Sequence, residues 1–335
     1  MKIKIDQAKQ LSLDVLAKVG FSMEDSELIT KNLIDAELSG RKSHGFVRLP
    51  AIKRNVESGK LSSLHDDIEI VKDNLTNLLI NAKHKPAFIP IYKSLEIATK
   101  KAKESGICIV GIQDAEYCSG FIGSYARQAA LSDLIFIGFN NSPGGLVPFG
   151  AKKELWGTDP VTIGVPTDDI PVVLDMASSQ ITWGDLMVAK QEGKTIKEGV
   201  AIDKDGNPTT NPVEAMDGGL LPIAGHKGSG LAFMVELIAG ALTGSRVGFS
   251  VEGGWGTAYI LINPEIFRPL ADFKRDVRKA IDELKQAPKA RGVEEIYFPG
   301  EKSQKMRAKQ LMSEEIEVSD KLYSEIELLA KGGKL

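Results

Sequence analysis

The sequence predicts an α/β fold that is not a Rossmann fold, and three observations support this prediction. Helical patterns occupy both ends of the 335-residue chain, and short β-branched runs alternate with helical patterns in its middle. No Gly-x-Gly-x-x-Gly motif follows a predicted strand. We therefore divide the chain into a helical subdomain, residues 1–75 and 265–335, and an α/β subdomain, residues 76–264, that carries the candidate site.

The N-terminal helices are predicted from their start and stop signals. Asp6 is placed to cap a first helix that carries apolar residues on one face and stops at Gly20. Ser22 and Asp25 resemble a capping box for a second helix, which ends at Gly40.

Strands and helices then alternate. The predicted strands are 68–71, 77–82, 106–112, 134–139, 161–165 and 172–174. The predicted helices are 86–104, 122–131 and 183–191, followed near the C-terminal end by 270–284 and 319–329. Two long loops rich in Gly, Pro and Asn, 140–157 and 201–222, are expected to bind a ligand.

Composition and charge argue against several kinds of partner. The 42 basic and 45 acidic residues nearly balance, which predicts neither nucleic-acid nor anionic-membrane binding. The N-terminal residues lack a signal-peptide pattern, and the longest apolar run is broken by Glu236 and Gly240, so we predict a cytoplasmic protein with no membrane span. Cys108 and Cys118 form no disulfide framework, and no ligand pair at metal spacing predicts a metal site.

His44 is the best placed of only four histidines for catalysis. It follows a helix stop, where it can give or take a proton at neutral pH. Arg48 follows four residues later, and a helical segment would put both side chains on one face, as a carboxylate-binding fork beside a general acid requires. The alternative is that His44 only caps a turn. His65 and His84 stand in polar surroundings and are expected to be solvated.

A glycine-rich turn, 220–231, opens an apolar helix. Glycines let the backbone approach a ligand, and free amides at a helix start beside Lys227 favour a phosphate. We therefore expect His226, Lys227 and Gly228 to form an anion site, although the turn is equally compatible with close helix packing. The spacing is not that of a Walker motif.

Asp175 follows a predicted buried strand. A carboxylate at the carboxyl end of a sheet strand is placed to meet a ligand, whereas the rival role is the cap of a helix. Both roles stay open at this point.

Eight short blocks together resemble the second type of the malate/L-lactate dehydrogenase family, which includes sulfolactate, ureidoglycolate and 2,3-diketogulonate enzymes and cyclic ketimine reductases. They fall in the family's order over almost the whole chain. They are Ser-His-Gly at 43–45 with Arg48, Asn-Ser at 141–142, Phe-Gly-Ala-Lys at 149–152, Gly-Thr-Asp-Pro at 157–160, Leu-Asp-Met-Ala-Ser at 174–178, Asp-Gly-Asn-Pro at 205–208, His-Lys-Gly-Ser-Gly-Leu at 226–231 and Phe-Pro-Gly-Glu at 298–301.

The resemblance implies a mixed-sheet fold of the malate/L-sulfolactate dehydrogenase type, with NAD or NADP extended between loops. It implies hydride transfer between NAD(P)H and a small 2-oxo or 2-hydroxy acid such as malate, lactate or sulfolactate, in a homodimer whose partner chain helps to complete each active site. His44 then donates the proton and Arg48 binds the substrate carboxylate. The implied cofactor-binding residues are Ser142, Val173, Leu174, Asp175, Met176, Ala177, Ser178, Ser179, His226, Lys227, Gly228, Gly300, Glu301 and Lys302.

Two positions depart from the family pattern. A second active-site histidine that many members carry is absent from the turn at 114–120, which leaves the acid role to His44 alone or adds Tyr117, whose phenol can donate a hydrogen bond. Asp159 stands where Asn is usual. We expect Asp175 to orient His44. A reductase of cyclic 2-imino acids, such as pyrroline- or piperideine-2-carboxylate, and a non-catalytic cofactor-binding member remain as alternatives.

Overall fold

The computed structural model describes residues 1–63, 67–248 and 254–333. The helices are α1 Ile5–Val19, α2 Met23–Leu38, α3 Arg48–Glu57, α4 Phe88–Ser105, α5 Gly123–Leu131, α6 Trp183–Glu192, α7 Pro212–Gly218, α8 His226–Val235, α9 Leu270–Gln286, α10 Glu301–Ser313 and α11 Asp320–Ala330. The strands are β1 Lys2–Lys4, β2 Glu69–Asp73, β3 Asn77–Asn81, β4 Ile107–Ala115, β5 Ile135–Asn140, β6 Val161–Val165, β7 Val172–Met176, β8 Ala201–Ile202, β9 Gly219–Leu220, β10 Trp255–Ile262 and β11 Glu315–Glu317.

Seven strands form the central sheet, in the order β2-β3-β4-β10-β5-β6-β7. Within this sheet β3 and β4 run parallel, and the other described pairs are antiparallel. A Rossmann sheet is mostly parallel, so this topology confirms the predicted α/β, non-Rossmann mixed-sheet fold.

The strand β10 is missing from the sequence prediction. It lies between β4 and β5 and pairs with both, and most of its residues are buried. A strand covered on both faces shows a continuous apolar run instead of an alternating one, so its pattern does not distinguish strand from helix.

Helices α4 and α5 pack against the sheet and form its main core. Leu95 and Ala98 of α4 contribute to the same buried cluster as Val110 of β4. The rings of Phe136 and Tyr259 stack across β5 and β10 with their centroids 5.2 Å apart. Packing of this density gives the loops at the strand ends a rigid base.

Both ends of the chain build the helical part. β1 pairs with β11, and Leu16, Leu33 and Leu49 share one buried cluster with Ile326 and Leu329. Strand β2 lies within residues 1–75 but pairs with β3 of the central sheet. The division into two subdomains stays a prediction.

The structure contradicts the predicted start of α1 and agrees with the predicted start of α2. α1 begins at Ile5, directly after β1, so Asp6 is not its cap and lies instead in the first turn, where its charge favours the helix dipole. Ser22 caps α2 as predicted, because its hydroxyl accepts the backbone N–H of Asp25 at 3.1 Å.

Other sequence expectations have mixed outcomes. The predicted apolar helix after residue 226 is α8, which continues as a π-helical turn at Glu236–Ala241. No helix in the described part of the chain combines the length and hydrophobicity needed to cross a bilayer. The side chain of His84 is 62% exposed. His65 lies outside the described residues.

Candidate active site

Two adjoining cavities, of about 280 and 210 Å³, lie between the His44 segment and the loops at the strand ends. They form one cleft, because they share the residues His44, Arg48, Gly120, Ile122, Thr158, Pro160 and Trp183. We call the larger one, which Tyr117 and Ser142 also line, the first chamber, and the one that Arg41 and Asp175 also line the second chamber.

His44 and Arg48 meet in this cleft as the sequence predicts. His44 ends a 3₁₀ turn, Lys42–His44, and Arg48 begins α3, so a short connection replaces the single helix we considered. Ser43 links the two side chains: its hydroxyl lies 3.0 Å from His44 Nδ1, and its carbonyl accepts the Nε–H of Arg48 at 2.8 Å. One residue, Ser43, therefore fixes both groups, through its hydroxyl and its backbone carbonyl.

Glu37 holds the connection from behind. This buried residue of α2 accepts the backbone N–H of Phe46 at 2.8 Å. A Cβ at Gly45 would lie 2.1 Å from Glu37 Oε1, so glycine is required there. Burial raises the pKa of Glu37 to about 7. Glu37 is not among the predicted site residues, because an acidic residue within a helical pattern is usually exposed to solvent.

The surroundings of His44 favour its neutral imidazole. Burial, with the positive charges of Arg48 and Arg41, lowers the pKa of His44 to about 3. A bound carboxylate on Arg48 would offset part of this positive field and so raise that pKa towards neutrality. His44 therefore gains proton affinity when an anionic substrate arrives.

Tyr117 contacts Arg48 in two ways. Its ring lies 5.9 Å from the Arg48 guanidinium carbon, and its hydroxyl donates to the Arg48 carbonyl at 3.4 Å. Burial raises the pKa of Tyr117, so the phenol keeps its proton. Because that proton is directed at Arg48, the geometry favours a positioning role for Tyr117 over proton donation to substrate.

Asp175 lines the second chamber but does not orient His44. Its carboxylate accepts the N–H of Gly123 at 2.8 Å, at the start of α5, and the hydroxyl of Thr162 at 3.1 Å. Ser43 occupies the Nδ1 side of His44 instead. Both roles left open for Asp175 therefore occur together, since it caps a helix from a neighbouring strand and also faces the cleft.

The segment 173–179 runs along β7 and then beside the 157–160 loop. Ser178 donates its N–H to the Thr158 carbonyl at 2.7 Å and its hydroxyl to the Asp159 carbonyl at 2.6 Å. The Ser179 hydroxyl donates to Ile181. Ser178 thus holds the 157–160 loop, and of this segment Asp175 and Ala177 line the cleft.

The turn before α8 differs from the predicted anion site. The backbone N–H groups of Lys227 and Gly228 donate to the carbonyls of Ala224 and Ile223, so these amides are not free. The tight turn, with Gly225 at φ 61°, brings those carbonyls within reach of the helix start. The side chains of His226 and Lys227 are exposed and can still meet an anion.

The loop at 298–302 packs on β7. Val173 donates its N–H to the Pro299 carbonyl at 2.9 Å, and a Cβ at Gly300 would lie 2.7 Å from the Val173 carbonyl. The carboxylate of Glu301 is buried and pairs with Lys285 and Lys305. Glu301 therefore shapes the loop, whereas Lys302 is exposed.

The cleft also contains residues that were not predicted singly. Trp183, 39% exposed, lies at the junction of the chambers, and Trp255 lines the first one. Thr158 and Pro160 belong to the Gly-Thr-Asp-Pro block, so the signal was present as a motif. Trp183 carried no such signal, because a tryptophan at a helix start is more often part of a core.

Comparison with known proteins identifies the family. The family model described as malate/L-lactate dehydrogenase matches residues 3–327 of this chain. The malate/(S)-sulfolactate dehydrogenase of Methanothermus fervidus is 33% identical, over 98% of this chain and 97% of its own.

Solved structures agree with this match. The sulfolactate dehydrogenase of Methanocaldococcus jannaschii is 34% identical, with a TM-score of 0.90 over 99% of this chain and 97% of its own. The malate dehydrogenase of Entamoeba histolytica is 25% identical, with a TM-score of 0.94 over 99% and 98%. The chain thus belongs to the malate/L-lactate dehydrogenase family and is an NAD(P)-dependent dehydrogenase that interconverts a small 2-oxo acid and its 2-hydroxy acid.

Proposed function

We propose that His44 is the proton donor and Arg48 the carboxylate ligand of this enzyme when it reduces a small 2-oxo acid. The observation that supports the proposal is the Ser43 linkage, which fixes both side chains in one cleft. A planar guanidinium suits a carboxylate, and a histidine beside it lies next to the carbon that bears the reacting oxygen.

In this mechanism Arg48 anchors the substrate carboxylate in the first chamber. Binding of the substrate carboxylate raises the proton affinity of His44. His44 then gives a proton to the developing alkoxide, or takes one from the substrate hydroxyl in the reverse direction. The bound nicotinamide supplies or accepts the hydride. Tyr117 keeps Arg48 in position through a hydrogen bond from its hydroxyl to the backbone carbonyl of Arg48.

The residues around the cleft fit an extended nicotinamide cofactor. Gly300 lets the 298–302 loop pack directly on β7, and the exposed cations at Lys227 and Lys302 suit its phosphates. We assign the same set to it as the resemblance implies, with Glu301 acting through its loop. They are Ser142, Val173, Leu174, Asp175, Met176, Ala177, Ser178, Ser179, His226, Lys227, Gly228, Gly300, Glu301 and Lys302.

Both NAD and NADP stay open as the cofactor. A relative from Chromohalobacter salexigens is named (2R)-3-sulfolactate dehydrogenase (NADP(+)), and one from Escherichia coli O157:H7 is named ureidoglycolate dehydrogenase (NAD(+)). The choice therefore varies among proteins that resemble this chain.

Reduction of a cyclic 2-imino acid is the second candidate function. A solved structure named delta1-piperideine-2-carboxylate reductase, from Pseudomonas syringae, is 26% identical with a TM-score of 0.87. The carbon of a protonated imine accepts hydride with less acid assistance than the carbon of a ketone. This fits the cleft, since among the described residues the histidine that lines it is His44.

We further propose a cytoplasmic homodimer with the active site near the interface. Apolar side chains on and after α8 are exposed, among them Phe233, Met234, Leu237 and Leu242. This surface continues from the helix start that carries His226 and Lys227, so a second copy placed there would adjoin the proposed cofactor site.

The test is oxidation of NADH and of NADPH, followed by absorbance, with pyruvate, oxaloacetate, sulfopyruvate and piperideine-2-carboxylate. We expect turnover of at least one oxo acid, and His44→Ala should lower kcat by about two to four orders of magnitude. Tyr117→Phe, which removes one neutral hydrogen bond, should cost about fivefold.

Two results would contradict the proposal. Near-normal turnover in His44→Ala, with Tyr117→Phe inactive, would reverse the assignment. Cofactor binding without turnover of any substrate would indicate a non-catalytic member, while turnover of the imine alone would select the second candidate.

A further inference from the structure

Two buried carboxyl groups face each other behind the cleft. Asp159 is 0% exposed and Glu236 is 2% exposed. Among the described residues, both side-chain oxygens of Asp159 and Oε1 of Glu236 form no hydrogen bond of good geometry. The backbone N–H groups of Ser142 and of Asp159 itself approach the Asp159 carboxylate and partly offset the rise in its pKa. The two side chains lie within hydrogen-bonding reach of each other. Such unpartnered buried oxygens are costly, so the pair needs a physical explanation.

The rest of the Glu236 carboxylate is fixed. Its Oε2 accepts the N–H of Gly248 at 2.8 Å and the amide of Asn141 at 3.3 Å. The side-chain amide oxygen of Asn141, Oδ1, in turn accepts the N–H of Gly256 at 2.8 Å. Glu236 is therefore held with its second oxygen directed at Asp159.

Within residues 1–63, 67–248 and 254–333, no salt bridge joins a cationic side chain to either carboxyl group. β5 and β10 contribute the uncharged Asn140 and Thr257, which bond to each other. At the end of β4, Glu116 accepts the N–H of Gly254, and the Asp114 carboxylate lies beside Gly254 as well. The Arg246 side chain approaches Gly254 too, while the Arg246 carbonyl accepts the amide of Asn141.

A single proton resolves this arrangement. Two ionised carboxylates in contact repel each other in a buried site, whereas one protonated group donates to the other and satisfies both. Burial, followed by the adjacent Glu236 charge, raises the pKa of Asp159 well above its usual range, and burial raises the pKa of Glu236. Asn, the usual family residue at 159, could make the same contact without a titrating proton.

The pair joins the two sides of the proposed site. Asp159 lies between Thr158 and Pro160, which line both chambers. Glu236 directly follows α8, whose first residues are His226 and Lys227. A change at this contact therefore moves the cleft loop relative to the helix that starts at the cofactor residues.

We propose that Asp159 and Glu236 share one proton in the active enzyme and act as positioning residues that hold the Thr158–Pro160 loop against α8. Loss of that proton at high pH places two negative charges in contact and loosens the loop, so cofactor binding weakens. The effect on cofactor binding rests on the proposed function, whereas the shared proton does not.

Denaturant unfolding from about pH 5 to about pH 9 tests the shared proton. Above the unfolded-state pKa of an Asp, about 3.9, only the folded state retains this proton, so the unfolding constant should rise with pH until the pair ionises. The rise should be about tenfold per pH unit steeper than in Asp159→Asn or Glu236→Gln, each of which lacks the titrating proton. The exposed Asp282→Asn serves as the matched control and should follow the wild type.

Parallel unfolding curves in the wild type, Asp159→Asn and Glu236→Gln would overturn the shared proton. A wild-type slope that disappears on adding potassium or sodium chloride, while Asp159→Asn is unaffected, would also overturn it and assign a bound cation. Two variants are used so that the failure of one to fold leaves the comparison intact.

Steady-state kinetics of the same proteins test the positioning role. The KM for NADH or NADPH should rise with pH in the wild type and stay flat in Asp159→Asn, while kcat near neutral pH changes little. An equal rise of KM in both proteins would overturn positioning. If the wild type turns over none of the substrates, the proposed function fails, and the unfolding experiment still decides the proton.

Discussion

Two helix starts flank the site and are built in opposite ways. At the start of α3, His44 and Arg48 are held by the backbone and hydroxyl of Ser43, with the buried Glu37 behind them. At the start of α8, the backbone N–H groups are also satisfied, but the side chains of His226 and Lys227 are exposed.

The difference separates the residues proposed for proton transfer from those proposed for phosphate binding. Proton transfer needs atoms fixed within a fraction of an ångström, so the His44 side of the cleft is rigid before substrate arrives. Phosphate binding tolerates more freedom, because exposed cations attract an anion over a longer distance. Substitutions on the two sides should therefore differ in size and in the kinetic constant that they change.

After His44→Ala, the largest effect should come from Arg48→Ala. Removing a charge-assisted carboxylate contact costs about 2–4 kcal/mol, or roughly 30- to 1000-fold in kcat/KM for the oxo acid. Arg48→Lys keeps the charge without the planar fork and should recover only part of the loss. Steady-state kinetics check this, and equal kcat/KM values in the wild type and Arg48→Ala would place the carboxylate elsewhere.

Gly45→Ala should have an intermediate effect. The new methyl would press on Glu37, and overpacking of this kind costs about 1–3 kcal/mol of stability. Because the strain falls between His44 and Arg48, kcat should fall as well. Thermal unfolding and kinetics measure both quantities. Gly230→Ala is the control, since Gly230 lies within α8 and a Cβ there would meet no heavy atom within 4 Å. An unaltered kcat in folded Gly45→Ala would show that the connection tolerates displacement.

The smallest effect should come from Lys227→Ala. An exposed ion pair with a phosphate contributes little, so the KM for the cofactor should rise about two- to fivefold, with kcat unchanged. The rise should shrink as salt is added, because the contact is screened. A large fall in kcat would instead show that Lys227 contributes to the reaction step itself and not only to cofactor binding.

The fold was predictable where the pattern was local. Ser22 capped α2 as expected because its signal lies within one turn, and the ends of the predicted strands lie within three residues of those observed. The buried β10 was missed because its pairing with β4 and β5 is set by residues far along the chain. Asp6 was misassigned because the pairing of β1 with β11, another long-range contact, sets where α1 begins.

The candidate site, like the fold, was predictable where its signal was local in the sequence. His44 and Arg48 were found from their spacing, and the structure brings them together. Asp175 was placed in the cleft correctly, but its partners Gly123 and Thr162 lie on other elements, so its hydrogen bonds could not be inferred. The Glu37 contact also depends on packing between helices, which no motif encodes.

The order of strands in the sheet has a consequence for synthesis of the chain. β4 and β5 leave the ribosome long before β10, the strand that fills the space between them. Until then each presents an unpaired edge, which is a template for wrong pairing. Folding of the centre must therefore wait for residues near 262, and the growing chain should depend on chaperones most strongly between those two points.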